Sequence, residues 1–109
     1  MYGQKKWTMV VISKAVLKEF AEKYPDAEAA LTKWYNETHA ADWRNFSEVK
    51  KTFNTADAVR NDRYVFDIKG NQYRLIALII FKGRTVFILF VGTHKEYDKI
   101  DASKVQFKK

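Results

Sequence analysis

"YVFDIKGNQYRLIALIIFKGRTVFILFV", residues 64–91, consists of three apolar runs separated by two short glycine-containing breaks. Runs rich in Val, Ile, Phe and Tyr and bounded by such breaks read as strands joined by hairpins. Gly70-Asn71 supplies the positive-φ residues that a tight hairpin needs, and Lys82-Gly83-Arg84 does the same less specifically. The stretch is therefore an antiparallel three-stranded meander, YVFDI, QYRLIALIIF and TVFILFV. Its middle strand is apolar on both faces, which requires cover on both sides.

Upstream of the meander the periodicity is helical. "MVVI" (9–12) reads as a short strand, and Ser13 is placed to cap a helix over 14–24 with a stripe of Val16, Leu17, Phe20, Ala21 and Tyr24. Pro25, the only proline, ends that helix and can open the next, 26–38, at its first position. Ala27, Ala30, Leu31, Trp34 and Tyr35 repeat the stripe. Ser47 can cap a third, shorter helix carrying Val49 and Phe53, with Trp43 and Phe46 beneath it. "NTADAVRND" (54–62) reads as a polar connection. The fold class that follows is α+β: a short N-terminal strand, two to three helices, then the meander, with the helices packed on the sheet.

Composition limits the function. A chain of 109 residues with 47% hydrophobic side chains makes a single domain, 1–109, with one core. Its longest apolar run, LIALIIF, is far below the ~18 residues of a membrane span. There is no cysteine, which excludes disulfides, thiolate zinc sites and a cysteine nucleophile. The N-terminus lacks an apolar signal core, so a soluble cytoplasmic protein is expected, with no membrane partner. Net charge is +7, and residues 1–53 carry an excess of +2 against +5 for residues 54–109. That asymmetry favours a polyanionic partner, nucleic acid before an acidic protein.

Arg74 is the one charge inside the central strand. A two-residue Gly70-Asn71 loop sets it opposite Asp67, and a three-residue Lys82–Arg84 loop sets it opposite Gly92. Opposed residues share a face, so His94 follows on the same side. Either Arg74 faces the "GTHKEYDKID" stretch (92–101) as a phosphate ligand, or it merely pairs with Asp67 across the strands.

Within that stretch His94, Lys95, Glu96, Tyr97 and Asp98 are consecutive. A histidine trades protons near neutral pH, a tyrosine can do so beside a cation, and Arg or Lys stabilises a phosphoryl transition state. These are the parts that RNA cleavage by a 2′-hydroxyl needs. The plain alternative is a solvated turn, or for Glu96 and Asp98 the start of a short helix, and for Glu96, Lys99 and Asp101 the solvated turn is the better reading. Arg63, Lys82 and Arg84 flank strand ends, where they either touch phosphates or remain solvated. Two histidines and no cysteine give no metal-ligand spacing, and neither a phosphate loop nor a GxSxG elbow occurs. A non-catalytic basic RNA- or ribosome-binding module, or a module for an acidic protein, would use the same charges.

"RYVFDIKGNQYRLIALIIF" followed by "THKEYDKID" is similar to the HigB-type mRNA-interferase toxins of bacterial toxin–antitoxin pairs, relatives of the RelE superfamily. The likeness rests on Tyr64-Val65-Phe66, the turn Gly70-Asn71, Arg74 three residues on, and His94 to Asp98. It extends over about residues 9–101, including "MVVISKAVLKEFAEKYP". The resemblance implies a small α+β, RelE-like toxin that cleaves mRNA, usually as it is read on the ribosome, while the residues themselves suggest no metal or other cofactor. It also implies a co-expressed helix-turn-helix antitoxin (HigA-like) that holds the toxin inactive. By the same resemblance Arg74 binds the phosphate, and His94 and Tyr97 transfer protons or position substrate. Lys95 would help electrostatically, and Asp98 would orient a neighbour or act as a base. Family chains tend to begin near the first strand, so "MYGQKKWT" (1–8) reads as an extension. Either Met9 is the usual start or Lys5 and Lys6 add to a basic surface.

Overall fold

The stripe of the first helix is buried as its spacing requires. Leu17 and Phe20 of α1 (Lys14–Lys23) enter the core, as do Leu31, Trp34 and Thr38 of α2 (Glu28–Ala40). A computed structural model describes residues 8–107; all of the N-terminal extension but Thr8, including Lys5 and Lys6, lies outside the described residues. Between the two helices Pro25–Ala27 form a 3-10 turn with the proline at its first position, where a missing N–H is no loss. Two caps differ from expectation. Ser13 has φ 76° and makes no side-chain cap, because a capping side chain needs extended backbone. In α3 (Phe46–Thr52) the cap is Asn45, whose Oδ1 accepts from Glu48 N at 3.1 Å, and Ser47 lies inside the helix.

The sheet has five strands in the order β1-β5-β4-β3-β2: β1 (Val10–Ile12), β2 (Asp57–Ala58), β3 (Arg63–Ile68), β4 (Tyr73–Ile80) and β5 (Thr85–Thr93). The meander β3-β4-β5 is antiparallel as expected, but the sheet that contains it is mixed. β1 lies parallel to β5, and Asp57–Ala58, within the expected polar connection, form an edge strand on β3. One face carries α1, α2 and α3 on Phe66, Leu75, Ala77, Ile79, Val86 and Ile88. Each of these buried side chains except that of Ala77 contributes about 1.5–3 kcal/mol. The other face, with Val65, Ile76 and Leu89, is covered by the C-terminal segment through Ala102, Val105 and Phe107. Among the described residues no helix is long and apolar enough to cross a membrane.

The pairings that decide the site are Asp67↔Arg74 and Arg74↔Gly92, both as expected, though only the first arises by the expected route. Gln72 N donates to Lys69 O at 3.2 Å, enclosing Gly70-Asn71, but the positive φ values fall on Lys69 and Gly70 rather than on Asn71. In the second hairpin Arg84 N donates to Phe81 O and Ile80 pairs with Thr85, so the loop is one residue out of the expected phase. A bulge then inserts Leu89 between the pairs Ala77↔Ile88 and Ile76↔Phe90, and the offset is cancelled before Arg74 is reached.

The helical layer is tied to the first hairpin by Asp26. Its Oδ1 accepts from Tyr73 Oη at 2.6 Å and its Oδ2 from Lys69 Nζ at 2.9 Å. The Tyr73 bond, then the Lys69 bond, holds the Asp26 carboxyl below its ordinary 3.8. The same bond pushes the Tyr73 phenol up to about 12 from 10.0. A raised phenol favours the protonated donor, so this stabilisation is complete below pH 10 and is lost as pH climbs towards 12. The lowered carboxyl stabilises above 3.8 and loses its contribution as pH falls through the folded-state value. Tyr73→Phe is expected to flatten the alkaline loss and shrink the acid one. Urea unfolding at pH 3, 7 and 11 checks this; an unchanged pH profile would contradict it.

Candidate active site

The apolar run of β5 ends by turning directly into a helix, α4 (His94–Asp98). Thr93 and Glu96 form the reciprocal capping box that starts it. Glu96 N donates to Thr93 Oγ1 at 3.1 Å, and Thr93 N donates to Glu96 Oε1 at 2.8 Å. Glu96 is therefore a capping group and not a solvated turn charge, and the Thr-x-x-Glu spacing of residues 93–96 is the signal that identifies it. Asp101 likewise caps, accepting from Ser103 N at 3.0 Å at a 3-10 turn, and Ser103 holds its carboxyl below the ordinary value. His94 N donates to Gln72 O at 3.3 Å, which fastens the start of α4 to the β3–β4 turn.

Arg74 lies on the face opposite α1–α3, beside α4. Its Nε meets Asp67 Oδ1 at 3.3 Å and its Nη1 donates to Asn71 O at 2.8 Å. The guanidinium stands 5.8 Å from the centre of the Tyr97 ring, within reach of a cation–π attraction of about 0.5–1 kcal/mol. Only 15% of its side chain is exposed, so the group is fixed rather than free on the surface. Arg74 thus pairs with Asp67 and at the same time stands beside α4.

His94 and Asp98 lie one helical turn apart, with Nδ1 3.2 Å from Oδ2. Half of the His94 side chain and 59% of that of Asp98 are exposed, so this couple is open to solvent. Lys95 is exposed beside them. Tyr97 is half-buried on the apolar cluster that also takes Phe90. The helix thus presents two couples, Arg74 with Tyr97 and His94 with Asp98.

Gly92, opposite Arg74, admits no side chain. A Cβ there would fall within the Phe90 ring edge and 3.0 Å from Glu96 Oε1. Gly92→Ala is expected to cost about 1–3 kcal/mol by forcing Phe90 aside. Equilibrium urea unfolding measures it; wild-type stability would show that the ring has room to move.

The other cations lie elsewhere. Arg63 Nε and Nη2 both donate to Val105 O, at 3.2 and 2.6 Å, and Nη1 donates to Asn61 O at 2.8 Å, binding the C-terminal segment to the sheet. Arg84 Nε lies 2.6 Å from Asp42 Oδ1, an ion pair without the alignment of a hydrogen bond. Lys82 is exposed in the same hairpin. Six residues of β4 separate that hairpin from Arg74, about 20 Å at ~3.3 Å per residue. The structure brings together Arg74, His94, Lys95, Tyr97 and Asp98, and sets Arg63, Lys82 and Arg84 apart from them. Among the described residues no three His, Asp or Glu side chains gather as metal ligands would.

Residues 27–100, from the end of the 3-10 turn through α4, match the HigB toxin family, described as the RelE-like toxic component of a toxin-antitoxin system. The mRNA interferase HigB of Escherichia coli O6:H1 (strain CFT073) is 37% identical over 94 residues, 84% of this chain and 91% of that protein. The mRNA interferase toxin HigB of Escherichia coli K12 is 33% identical over 92 residues, 83% of this chain and 88% of that protein. The mRNA interferase HigB of Shigella flexneri matches to the same extent. The α+β chain with Arg74 and α4 at one end of its sheet belongs to the HigB toxin family, the toxic component of toxin–antitoxin systems.

Proposed function

We propose that this chain is an endoribonuclease that cuts mRNA held on the ribosome, by attack of a 2′-hydroxyl on the adjacent phosphate. The observation that carries the reading is the fixed Arg74 guanidinium set against the helix that bears the open His94–Asp98 couple. Nε and Nη1 of Arg74 serve Asp67 and Asn71. The Nη2 donors are directed to the phosphate, and the cation offsets the charge that grows on it. Asp98 accepts from Nδ1 of His94 and fixes the ring, so Nε2 is the atom that exchanges a proton with the reacting RNA. In the cleavage step a base takes the 2′-hydroxyl proton and the 2′-oxygen bonds to phosphorus. The P–O5′ bond breaks, and an acid protonates the leaving oxygen. The products are a 2′,3′-cyclic phosphate and a 5′-hydroxyl.

Tyr97 holds Arg74 through its ring, and Lys95 adds positive charge beside the phosphate. Arg63 and Arg84 have their forks engaged within the fold, so their share, with Lys82, is long-range attraction of RNA. The +7 net charge suits that role. The names of the relatives, mRNA interferases, support the substrate class. The antitoxin that membership in this family implies would be a helix-turn-helix protein of the HigA type, acting in the cytoplasm.

The test is incubation of the purified chain with a defined mRNA, free and on programmed ribosomes, with analysis of product ends. Cleavage on the ribosome leaving 5′-hydroxyl ends is expected. Binding that weakens steeply with salt while the RNA stays intact would instead identify a non-catalytic RNA-binding module.

A further inference from the structure

We infer that Asp26, on the helical side of the sheet, is a positioning residue for the nuclease centre, acting through the β3–β4 turn on both Arg74 and His94. The inference rests on the nuclease reading above. One turn holds both residues from its active-site side. Asn71 O accepts from Arg74 Nη1 at 2.8 Å, and the next carbonyl, Gln72 O, accepts from His94 N at 3.3 Å. The distance between the phosphate ligand and the proton-transfer group is therefore set by the placement of two adjacent peptide units.

Asp26 fixes those units from the other side. Its two carboxylate oxygens take Lys69 and Tyr73, the residues that bracket the turn, at 2.9 and 2.6 Å. Tyr73 is itself held, its ring centroid 5.3 Å from that of Phe20 and 5.6 Å from that of Tyr24 on the helical layer. Tyr73 is also the residue immediately before Arg74, and alternation along the strand sends the two side chains to opposite faces. The turn needs such a hold, because Lys69 stands at φ 54°, a conformation that a side chain disfavours and that surrounding contacts must maintain. Asp26 is half exposed, so its contacts are not required to fill the core.

The test compares Asp26→Ala, Asp26→Asn, Tyr73→Phe and the double variant Asp26→Ala/Tyr73→Phe with wild type in ribosome-programmed mRNA cleavage. Saturation curves are measured well below every melting temperature. Val86→Ala, a change in the buried core at the far end of β5, serves as a destabilised control. Misplacement of reacting groups should lower the rate at saturation by about 10- to 100-fold in Asp26→Ala, with KM unchanged. Tyr73→Phe should fall with it, the double variant should be no slower than the slower single one, and Asp26→Asn, which keeps an acceptor for Tyr73, should recover part of the rate. Exchange of the His94 amide proton should quicken in Asp26→Ala, while Val86→Ala keeps the wild-type rate. If wild type cleaves and the Asp26 and Tyr73 variants cleave equally fast, or slow only as Val86→Ala does, the positioning role is wrong and the nuclease reading stands. If wild type itself leaves the mRNA intact, the nuclease reading falls and the positioning role falls with it.

Discussion

Arg74→Ala is expected to abolish growth arrest on induction and to slow mRNA cleavage by about 10²- to 10³-fold, the usual cost of losing one fixed charge stabiliser, some 2.7–4 kcal/mol. The fold should survive. The side chain is anchored at the sheet face by Asp67 and Asn71, and the Asp67 carboxylate it leaves behind is 28% exposed and can be hydrated. An exposed ion pair contributes about 0.2–1 kcal/mol, and this less exposed one costs more to break, a loss that thermal unfolding of the variant measures. Arg74→Lys separates charge from geometry. A lysine ammonium has no planar fork with which to serve Asp67, Asn71 and a phosphate together, so it should recover only a small part of the rate. The check is cleavage of programmed mRNA beside thermal unfolding of each variant. A folded Arg74→Ala protein that cleaves at the wild-type rate would remove this residue from the site.

His94→Ala should have an effect as large, about 10²- to 10⁴-fold if its imidazole carries a proton in the step. Little of the structure depends on that ring. The bond from His94 to Gln72 is made by the backbone, and the capping box that starts α4 belongs to Thr93 and Glu96. An exposed change of this sort typically alters stability by no more than about 0.5 kcal/mol. Asp98→Asn should lie between, since an amide can orient the imidazole but cannot balance its charge. Activity measured by rates and structure measured by circular dichroism separate these effects. Full activity in His94→Ala would assign the proton transfer elsewhere.

The α+β class and the pairing of Arg74 with Asp67 were legible because apolar runs between glycine turns set the order of the strands and the phase of the first hairpin. The phase of the second hairpin was correct at Arg74 only because two departures cancelled. The loop is one residue off, and the Leu89 bulge restores the offset. Nothing in "FILF" (87–90) marks an extra residue, because a run apolar on both faces has no alternation to pin its register. The parallel pairing of β1 with β5 joins residues about 75 apart across six intervening helices and strands, beyond the reach of local pattern. β2 was hidden by its length, two exposed residues on an edge. α4 announces itself through Thr93-x-x-Glu96, yet its five residues are too few to hold a helix without the sheet beneath them. Asp26 could not be singled out. An acidic residue after proline looks like an ordinary helix start, and its partners lie 43 and 47 residues away.

The most direct measurement is transcriptome-wide mapping of RNA 5′ ends after brief induction in growing bacteria, wild type beside His94→Ala. New 5′-hydroxyl ends inside translated reading frames are predicted for wild type, and they should be absent from His94→Ala and lost from wild type when translation is blocked. Growth arrest without new ends, or identical ends in both strains, would contradict cleavage by the Arg74–His94 site.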